Sequence, residues 1–391
     1  MNSAFIVSAK RTPVGSFQGI LASVPAPRLG AIAIQAALKE ANVNPQDIEE
    51  CIMGQVLTAG AGQAPARQAA IYAGLPSSVP CMTINKVCGS GLKAVMLAAD
   101  NIALGYTQMA VAGGQENMTL APHLLENSRA GYRMGAITSA DSMLKDGLWD
   151  PYSNFHMGNA AEICVREYKI SRQEQDAFAV ESYKRAQKSL QDGVFKNEIT
   201  AVEIAGKGAP TIHLIDEEPG KARFDKMPEL KPAFEKEGTI TAANASKIND
   251  GGAALVLASQ KAVQEKGLKP LARIVAHGTF AQDPKWFTTA PVNAIKKALE
   301  RAKLQVGDID LFEINEAFSV VTMVAMKDLN IPHNKVNVNG GAIAIGHPIG
   351  ASGARILTTL VHSLTRQNKR YGLATLCIGG GEGVAVIVER V

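Results

Sequence analysis

Little in this chain stands out by excess, and what it lacks removes several classes of function. The formal net charge is only +4 over 391 residues. That is too small for the electrostatic footprint of a nucleic-acid binder, although it suits an anionic small molecule. Cysteines number five, an odd count scattered without pattern. No disulfide framework is therefore expected, and the thiols are read as free in a reducing, cytoplasmic setting. No secretory leader is evident, and no apolar run of membrane-spanning length is expected, so no membrane partner is expected either. Charged residues make up 19% of the chain against 46% hydrophobic. That balance and the length describe a globular protein of two or three domains with room for a large core.

What the chain does have is a repeat. Ala37 to Ile48 reads ALKEANVNPQDI, and Ala298 to Ile309 reads ALERAKLQVGDI. A helix, a short loop and a strand (Cys51 to Val56; Leu311 to Ile314) are expected in both copies. Gly89-Ser90-Gly91 matches Ala351-Ser352-Gly353 at almost the same offset, and each opens an apolar helix (Leu92 to Ile102; Ala354 to Leu364). Each helix leads to a strand ending in glycines, Met109 to Gly114 and Thr375 to Gly380. Apolar stretches such as Met109–Ala112, Ala253–Leu257 and Val384–Val388 suit sheets covered on both faces. A duplicated α/β unit follows. Thr119 to Ser246 has no counterpart and reads as an insertion that covers a site. It carries a polar amphipathic helix near Ser171 to Asp192 and a Lys/Pro/Glu-rich run from Gly206 to Lys236.

Four segments carry chemistry. Cys88 stands at the start of a helix, where unpaired N–H donors and partial positive charge favour a thiolate. Gly89 and Gly91 are read as permitting a tight turn and close approach of substrate. An inert buried cysteine is the ordinary alternative. His347, in a loop with little side-chain bulk from Gly340 to Gly353, can accept a proton from a thiol. Cys377 ends a core strand, where ligands gather in α/β folds. The turn after it, with Gly379, Gly380, Gly381 and Gly383, can aim N–H groups at one oxygen. Asn315, at the end of the strand Leu311 to Ile314, can hold a water or a carbonyl, or merely cap a turn.

Together, Val87-Cys88-Gly89-Ser90-Gly91, Asn315-Glu316-Ala317-Phe318, Gly346-His347-Pro348 and Cys377-Ile378-Gly379-Gly380-Gly381 closely resemble the thiolase family in order and spacing. The likeness runs from end to end, including Lys10-Arg11-Thr12-Pro13 and Asn244-Ala245-Ser246. It implies an α/β, five-layered αβαβα thiolase fold from two duplicated halves with an inserted loop domain. The expected segments are 1–118 plus 247–270 for the first half, 119–246 for the insertion and 271–391 for the second half. By resemblance, Cys88 takes up an acyl group, His347 activates that thiol and Cys377 moves a proton on the second substrate. Asn315, through a water, and His347 hold the enolate, while the N–H groups of Cys88 and Gly379 hold the acyl carbonyl.

His156-Met157-Gly158 resembles the short-chain signature, with the His at the thioester and the Met narrowing the acyl pocket. Leu148, Phe234, Ala317 and Phe318 match positions lining the pantetheine and acyl sites, and Ser246 matches a pantetheine contact. The implied reaction is condensation of two acetyl-CoA to acetoacetyl-CoA and CoA, or the reverse. A broader-chain 3-ketoacyl-CoA thiolase of fatty-acid breakdown is the alternative. No cofactor is expected to be tightly bound, coenzyme A being substrate and product, and no metal is expected. Leu125 to Gly135 matches a loop that joins dimers into a homotetramer. One departure lies at Asp216-Glu217-Glu218-Pro219-Gly220, where relatives often carry an Arg that packs on the adenine. Lys221 or Arg223 is the expected substitute.

Overall fold

Both copies of the repeat fold alike, down to their turns. The principal elements of the first half are β1 (Ala4–Arg11), α1 (Ala26–Ala41), β2 (Glu50–Gly54), α2 (Pro65–Tyr72), β3 (Cys81–Ile84), α3 (Ser90–Leu104) and β4 (Met109–Asn117). After an inserted stretch holding α4 (Met157–Tyr168) and α5 (Arg172–Gln191), β5 (Asn249–Ser259) completes the first sheet. There follow β6 (Ala272–Ala281), α6 (Ala290–Ala302), β7 (Leu311–Ile314), α7 (Ser319–Leu329), α8 (Ser352–Arg366), β8 (Tyr371–Ile378) and β9 (Glu382–Arg390). This computed structural model describes residues 3–206 and 208–391. Residue 207, within the Lys/Pro/Glu-rich run, and residues 1 and 2 lie outside it.

Helices α1 and α6 both end on a left-handed residue, Asn42 and Lys303. Each is followed by one turn of 3-10 helix, Pro45–Asp47 and Val306–Asp308, and then a strand. The pairings repeat too. In the first half β2 runs parallel to β4, and β4–β5 and β5–β1 are antiparallel. In the second, β7 runs parallel to β8, and β8–β9 and β9–β6 are antiparallel. The sheets of the two halves join edge to edge into one continuous hydrogen-bonded sheet where β1 pairs antiparallel with β6, Phe5 opposite Arg273 and Ile6 opposite Ala272.

Strand alternation then builds the layers. On β5, Ala253, Leu255 and Leu257 face a central core shared with α3, α8 and the second sheet, while Ala254, Val256 and Ala258 face α1 and α2. On β9, Val384, Val386 and Val388 join the central core, and Ala385 and Ile387 face α6. The result is helix, sheet, helix pair, sheet, helix. The middle pair approaches closely because its small residues interlock. A Cβ on Gly353 would lie 2.3 Å from Leu92 N, and one on Gly91 would lie 2.8 Å from Ala354 N.

That central placement corrects one expectation. Val87–Leu104 is 18 residues long and apolar enough, by length and composition, to cross a membrane. Its apolar surface is instead packed within the central core between the sheets, which is why a helix with so few polar positions forms here.

The inserted stretch is tied down by charge. Arg11 on β1 reaches Glu198 at 2.7 Å and both oxygens of Asp216 at 2.7 and 2.9 Å, all of them buried. A buried guanidinium so fully paired is destabilised sharply by loss of either partner. Helix α5 begins at a capping box in which Ser171 and Glu174 bond each other's backbone, which satisfies two otherwise orphaned donors.

Candidate active site

The nucleophile loop is strained where sequence reasoning did not look. Between β3 and α3, Val87 holds φ +44°, a left-handed conformation that a β-branched residue rarely adopts. The Val87 N–H donates to Asn85 Oδ1 at 2.9 Å, and Ser90 Oγ donates to Val87 O at 2.7 Å. These bonds present Cys88 to a cavity. Gly89 and Gly91 play a different part from the one expected. Neither has a positive φ. They are small because a Cβ on Gly89 would meet Ile378 Cδ1 at 2.4 Å, and Gly91 abuts α8.

The cavity holds about 220 Å³ and is mostly apolar. Cys88, His347 and Gly379 line it together with His156, Met157, Leu148, Phe234, Ser246, Ala317 and Phe318. Ten of the fourteen residues expected from sequence thus share one wall. Cys377 and Asn315 are buried, at 1% exposure each, and are not part of the lining. Cys377 packs with Met157, Ala317 and Phe318, near enough to Cys88 for the Cys88 charge to oppose its ionisation. Asn315 stands beside the imidazole, its Nδ2 3.5 Å from His347 Nδ1. Lys221 and Arg223 do not reach the cavity. The Lys221 ammonium is taken by Ser16 Oγ at 2.6 Å and Glu217 at 2.7 Å.

The imidazole has a defined tautomer. Ser352 Oγ donates to Pro348 O at 2.9 Å and lies 2.6 Å from His347 Nδ1. The one hydroxyl hydrogen being used, Nδ1 must donate to Ser352, which leaves the Nε2 lone pair free. Nε2 and Asn315 Oδ1 are buried without a protein partner. Burial and the nearby Arg355 charge press His347 down to about 3, so the ring is neutral near neutral pH.

The expectation of a ready thiolate gives way to burial. Burial pushes the Cys88 thiol up to about 11, against the pull of the Gly379 and Cys88 N–H groups, while Glu116 adds to the rise. Cys377 is likewise raised well above the usual thiol range, by burial and then by Cys88. Both thiols therefore keep their protons in the empty site. Proton loss must accompany bond formation, and the neutral His347 Nε2 is the acceptor available.

His156 contributes an oriented donor. It caps α4, its Nδ1 accepting from Gly158 N at 3.0 Å, and it stacks on Phe234 with centroids 4.7 Å apart. With Nδ1 accepting, Nε2 carries the hydrogen.

Buried acids that the sequence reading passed over hold the turns. Glu116 accepts from Val56, Leu57 and Gly350 N–H groups, and Glu316 accepts from Ser182, Asn337 and Ile343. Asn249 accepts from His347 N at 2.9 Å, where Gly346 turns at φ +116°. Met118, Phe287, Lys247, Ile248 and Ile349 also line the cavity without having been singled out. Glu316 was visible in the Asn-Glu-Ala-Phe segment, but the others carry no local signal. Among the described residues, no group of three or more His, Cys, Asp or Glu is placed to hold a metal ion.

Comparison with known proteins agrees with this arrangement. The family pattern "Thiolase, N-terminal domain" matches residues 4–261, and "Thiolase, C-terminal domain" matches residues 268–390. The acetyl-CoA acetyltransferase of Cupriavidus necator is 55% identical over 392 residues, covering all of both chains. That of Schizosaccharomyces pombe is 48% identical, covering 99% of this chain and 98% of its own. Acetyl-CoA acetyltransferase 2 of Arabidopsis thaliana is 49% identical, covering 98% and 96%.

Proposed function

The chain belongs to the thiolase family, and from that premise we infer that it is an enzyme joining two acetyl-CoA molecules into acetoacetyl-CoA and free CoA, and running the reverse thiolysis. The observation that carries this reading is the meeting of Cys88, the His347 imidazole and the Gly379 turn in one small apolar cavity narrowed by Met157. Carbon–carbon bond formation between thioesters needs an electrophilic acyl group and a carbanion equivalent. A thioester on cysteine keeps the acyl group activated, and a dry site with oriented donors supports the enolate.

Cys88 sulfur attacks the first acetyl-CoA as its proton passes to His347 Nε2, and CoA leaves with that proton. The N–H groups of Cys88 and Gly379 face the acyl oxygen. With CoA gone, the Cys377 proton passes to the freed His347 Nε2, and the Cys377 thiolate so formed takes a proton from the methyl group of the second acetyl-CoA. The Nε2–H that His347 now carries, with Asn315 acting through a water, supports the enolate oxygen, and His156 offers its Nε2–H to the thioester. Attack of the enolate carbon on acetyl-Cys88 breaks the carbon–sulfur bond, forms acetoacetyl-CoA and expels the Cys88 thiolate, which takes its proton back from His347. The exposed loop from Leu125 to Gly135 is the contact that makes a tetramer, and the five unpaired cysteines fit a reducing cytoplasm.

The test compares thiolysis of acetoacetyl-CoA and 3-ketodecanoyl-CoA by the purified protein. Strong preference for acetoacetyl-CoA supports the reading. Comparable or better turnover of the longer substrate moves the protein to the broader-chain class, and no turnover of either removes the enzymatic reading.

A further inference from the structure

Lys247 is a half-buried cation with no carboxylate within ion-pair distance of it among the described residues. It lines the cavity between Ser246 and Ile248. Its ammonium turns toward three neutral oxygens: Tyr183 Oη at 2.7 Å, Ile343 O at 3.2 Å and Ala245 O at 3.3 Å. The Tyr183 ring centroid is 5.3 Å from Nζ. No ion pair involves Lys247 among the described residues, whereas the buried Arg11 has two carboxylates. Burial lowers the ammonium to about 8, and Glu218 and Glu316 partly support its charge from a distance. Taking a charge out of water is costly unless its contacts are worth more than hydration. A charge kept here asks what the three oxygens have in common.

They belong to three separate pieces of the chain. Tyr183 is on α5 of the inserted stretch, and Ala245 is on the segment that returns from the insertion. Ile343 is in the short helix Ala342–Ile345, which runs through Gly346 directly into His347. That helix is a single turn, and Gly346 behind it is a glycine at φ +116°, a joint with little stiffness of its own. It is gripped on its N–H side by Glu316, which accepts from Ile343 N at 3.2 Å. On its carbonyl side the Lys247 ammonium is the side-chain cation that reaches it.

We propose that Lys247 is a positioning residue, its ammonium serving as a built-in monovalent cation that clamps the Ile343 carbonyl, and through it the turn carrying His347, to the inserted stretch. The proposal rests on the reaction assigned above. His347 must meet both the Cys88 proton and the enolate oxygen through one nitrogen, so a small swing of its turn costs rate rather than binding.

Replacing Lys247 by Met keeps the apolar stem and removes the charge. For Lys247→Met the expected result is a fall in kcat on the order of tenfold to a hundredfold, the loss a displacement of about 1 Å can cause. KM for acetyl-CoA should stay within about threefold, since the clamp lies behind the catalytic turn. Lys247→Ala opens the space the ammonium filled. Its kcat should rise severalfold with ammonium or methylammonium chloride at pH 7 and stay flat with tetramethylammonium chloride of equal ionic strength, which is too large to enter. A purely structural role would not produce rescue that depends on cation size.

The proposal is overturned if Lys247→Met keeps kcat within twofold, or if Lys247→Ala responds equally to all three salts or to none. Should the Met variant fail to fold, Lys247→Gln, which keeps amide donors but no charge, decides by the same kcat criterion. Wild-type protein in the same assay separates the two readings. If it is inactive, the assigned reaction fails, and if it is active while the variants match it, only the clamp fails.

Discussion

Removing the Ser352 hydroxyl isolates the tautomer of His347. Ser352 is fully buried and holds the ring through a 2.6 Å contact to Nδ1 while donating to Pro348 O. In Ser352→Ala, the Nδ1–H loses its acceptor in a dry site, which costs about 1–3 kcal/mol. The ring can avoid that cost by carrying its hydrogen on Nε2 instead, but it then no longer offers the lone pair that accepts the Cys88 proton. Either way the cost falls on acyl transfer, and 1–3 kcal/mol corresponds to a loss of about fivefold to 150-fold in rate. Release of CoA in a single-turnover acetylation of the enzyme reads this step directly, without the later condensation. A thermal melt run alongside should show a fall of only about 1–3 °C, the share of one lost hydroxyl bond in a large protein. Acetylation within twofold of wild type, with the melt unchanged, would refute the tautomer assignment and the base role of Nε2 with it.

Mass spectrometry after exposure to acetyl-CoA should find no acetyl group on Cys88→Ala and a stable one at Cys88 in Cys377→Ala; full-level acetylation of Cys88→Ala means the wrong nucleophile was named. Met157→Ala should raise turnover of 3-ketohexanoyl-CoA relative to acetoacetyl-CoA by about tenfold, the worth of roughly two buried methylenes, and an unchanged ratio removes Met157 as the chain-length wall. The pH dependence of stability has a definite sign at His347. Its folded pKa, about 3, lies below its ordinary 6.5, so the unfolded chain binds a proton the folded one refuses, and stability falls as pH drops through 6.5. By pH 5 that loss is about 2 kcal/mol. Glu116, held up to about 7 by burial, pulls the other way, so the comparison is with His347→Asn. The variant should lose less stability than wild type between pH 7 and pH 5 in urea titrations, and parallel curves would contradict a buried neutral imidazole.

The repeat made the fold legible, because periodic apolar strands and matched turns are local signals that survive without coordinates. The residues gathered at and just behind the cavity were legible for the same reason: Cys88, His347, Cys377 and Asn315 each sit beside a glycine turn or at a strand end. What stayed hidden is non-local. Ser352 holds His347 only because the chain doubles back within a helix start, and Lys247 reaches Ile343 across 96 positions of sequence. Thiol acidity was misjudged because a helix N-terminus is visible in sequence and burial is not. The apolar length of Val87–Leu104 went unremarked because its glycines and small residues read as a turn followed by a shorter helix, and only the second sheet explains so apolar a surface.

The duplication also explains how one turn came to supply two kinds of chemistry. At the offset that relates Ser90 to Ser352, Cys88 corresponds to Gly350, His347 to Asn85 and Cys377 to Gln115. The two serines do comparable work. Ser90 Oγ accepts from Lys86 N at 2.8 Å and fixes the nucleophile loop, and Ser352 Oγ accepts from the imidazole and fixes the base. The partners are not interchangeable. A Cβ on Gly350 would stand 2.6 Å from the Glu116 carboxylate, so a second nucleophile has no room there. Asn85 is occupied in bonding Val87 N, and Gln115 is bonded to Gln55. The Cys88 thiol therefore comes from one copy, and the His347 imidazole and the Cys377 thiol come from the other. The close crossing of α3 on α8 brings Cys88 and His347 to a common wall with Cys377 buried close behind, so neither half alone contains the thiol pair and the imidazole.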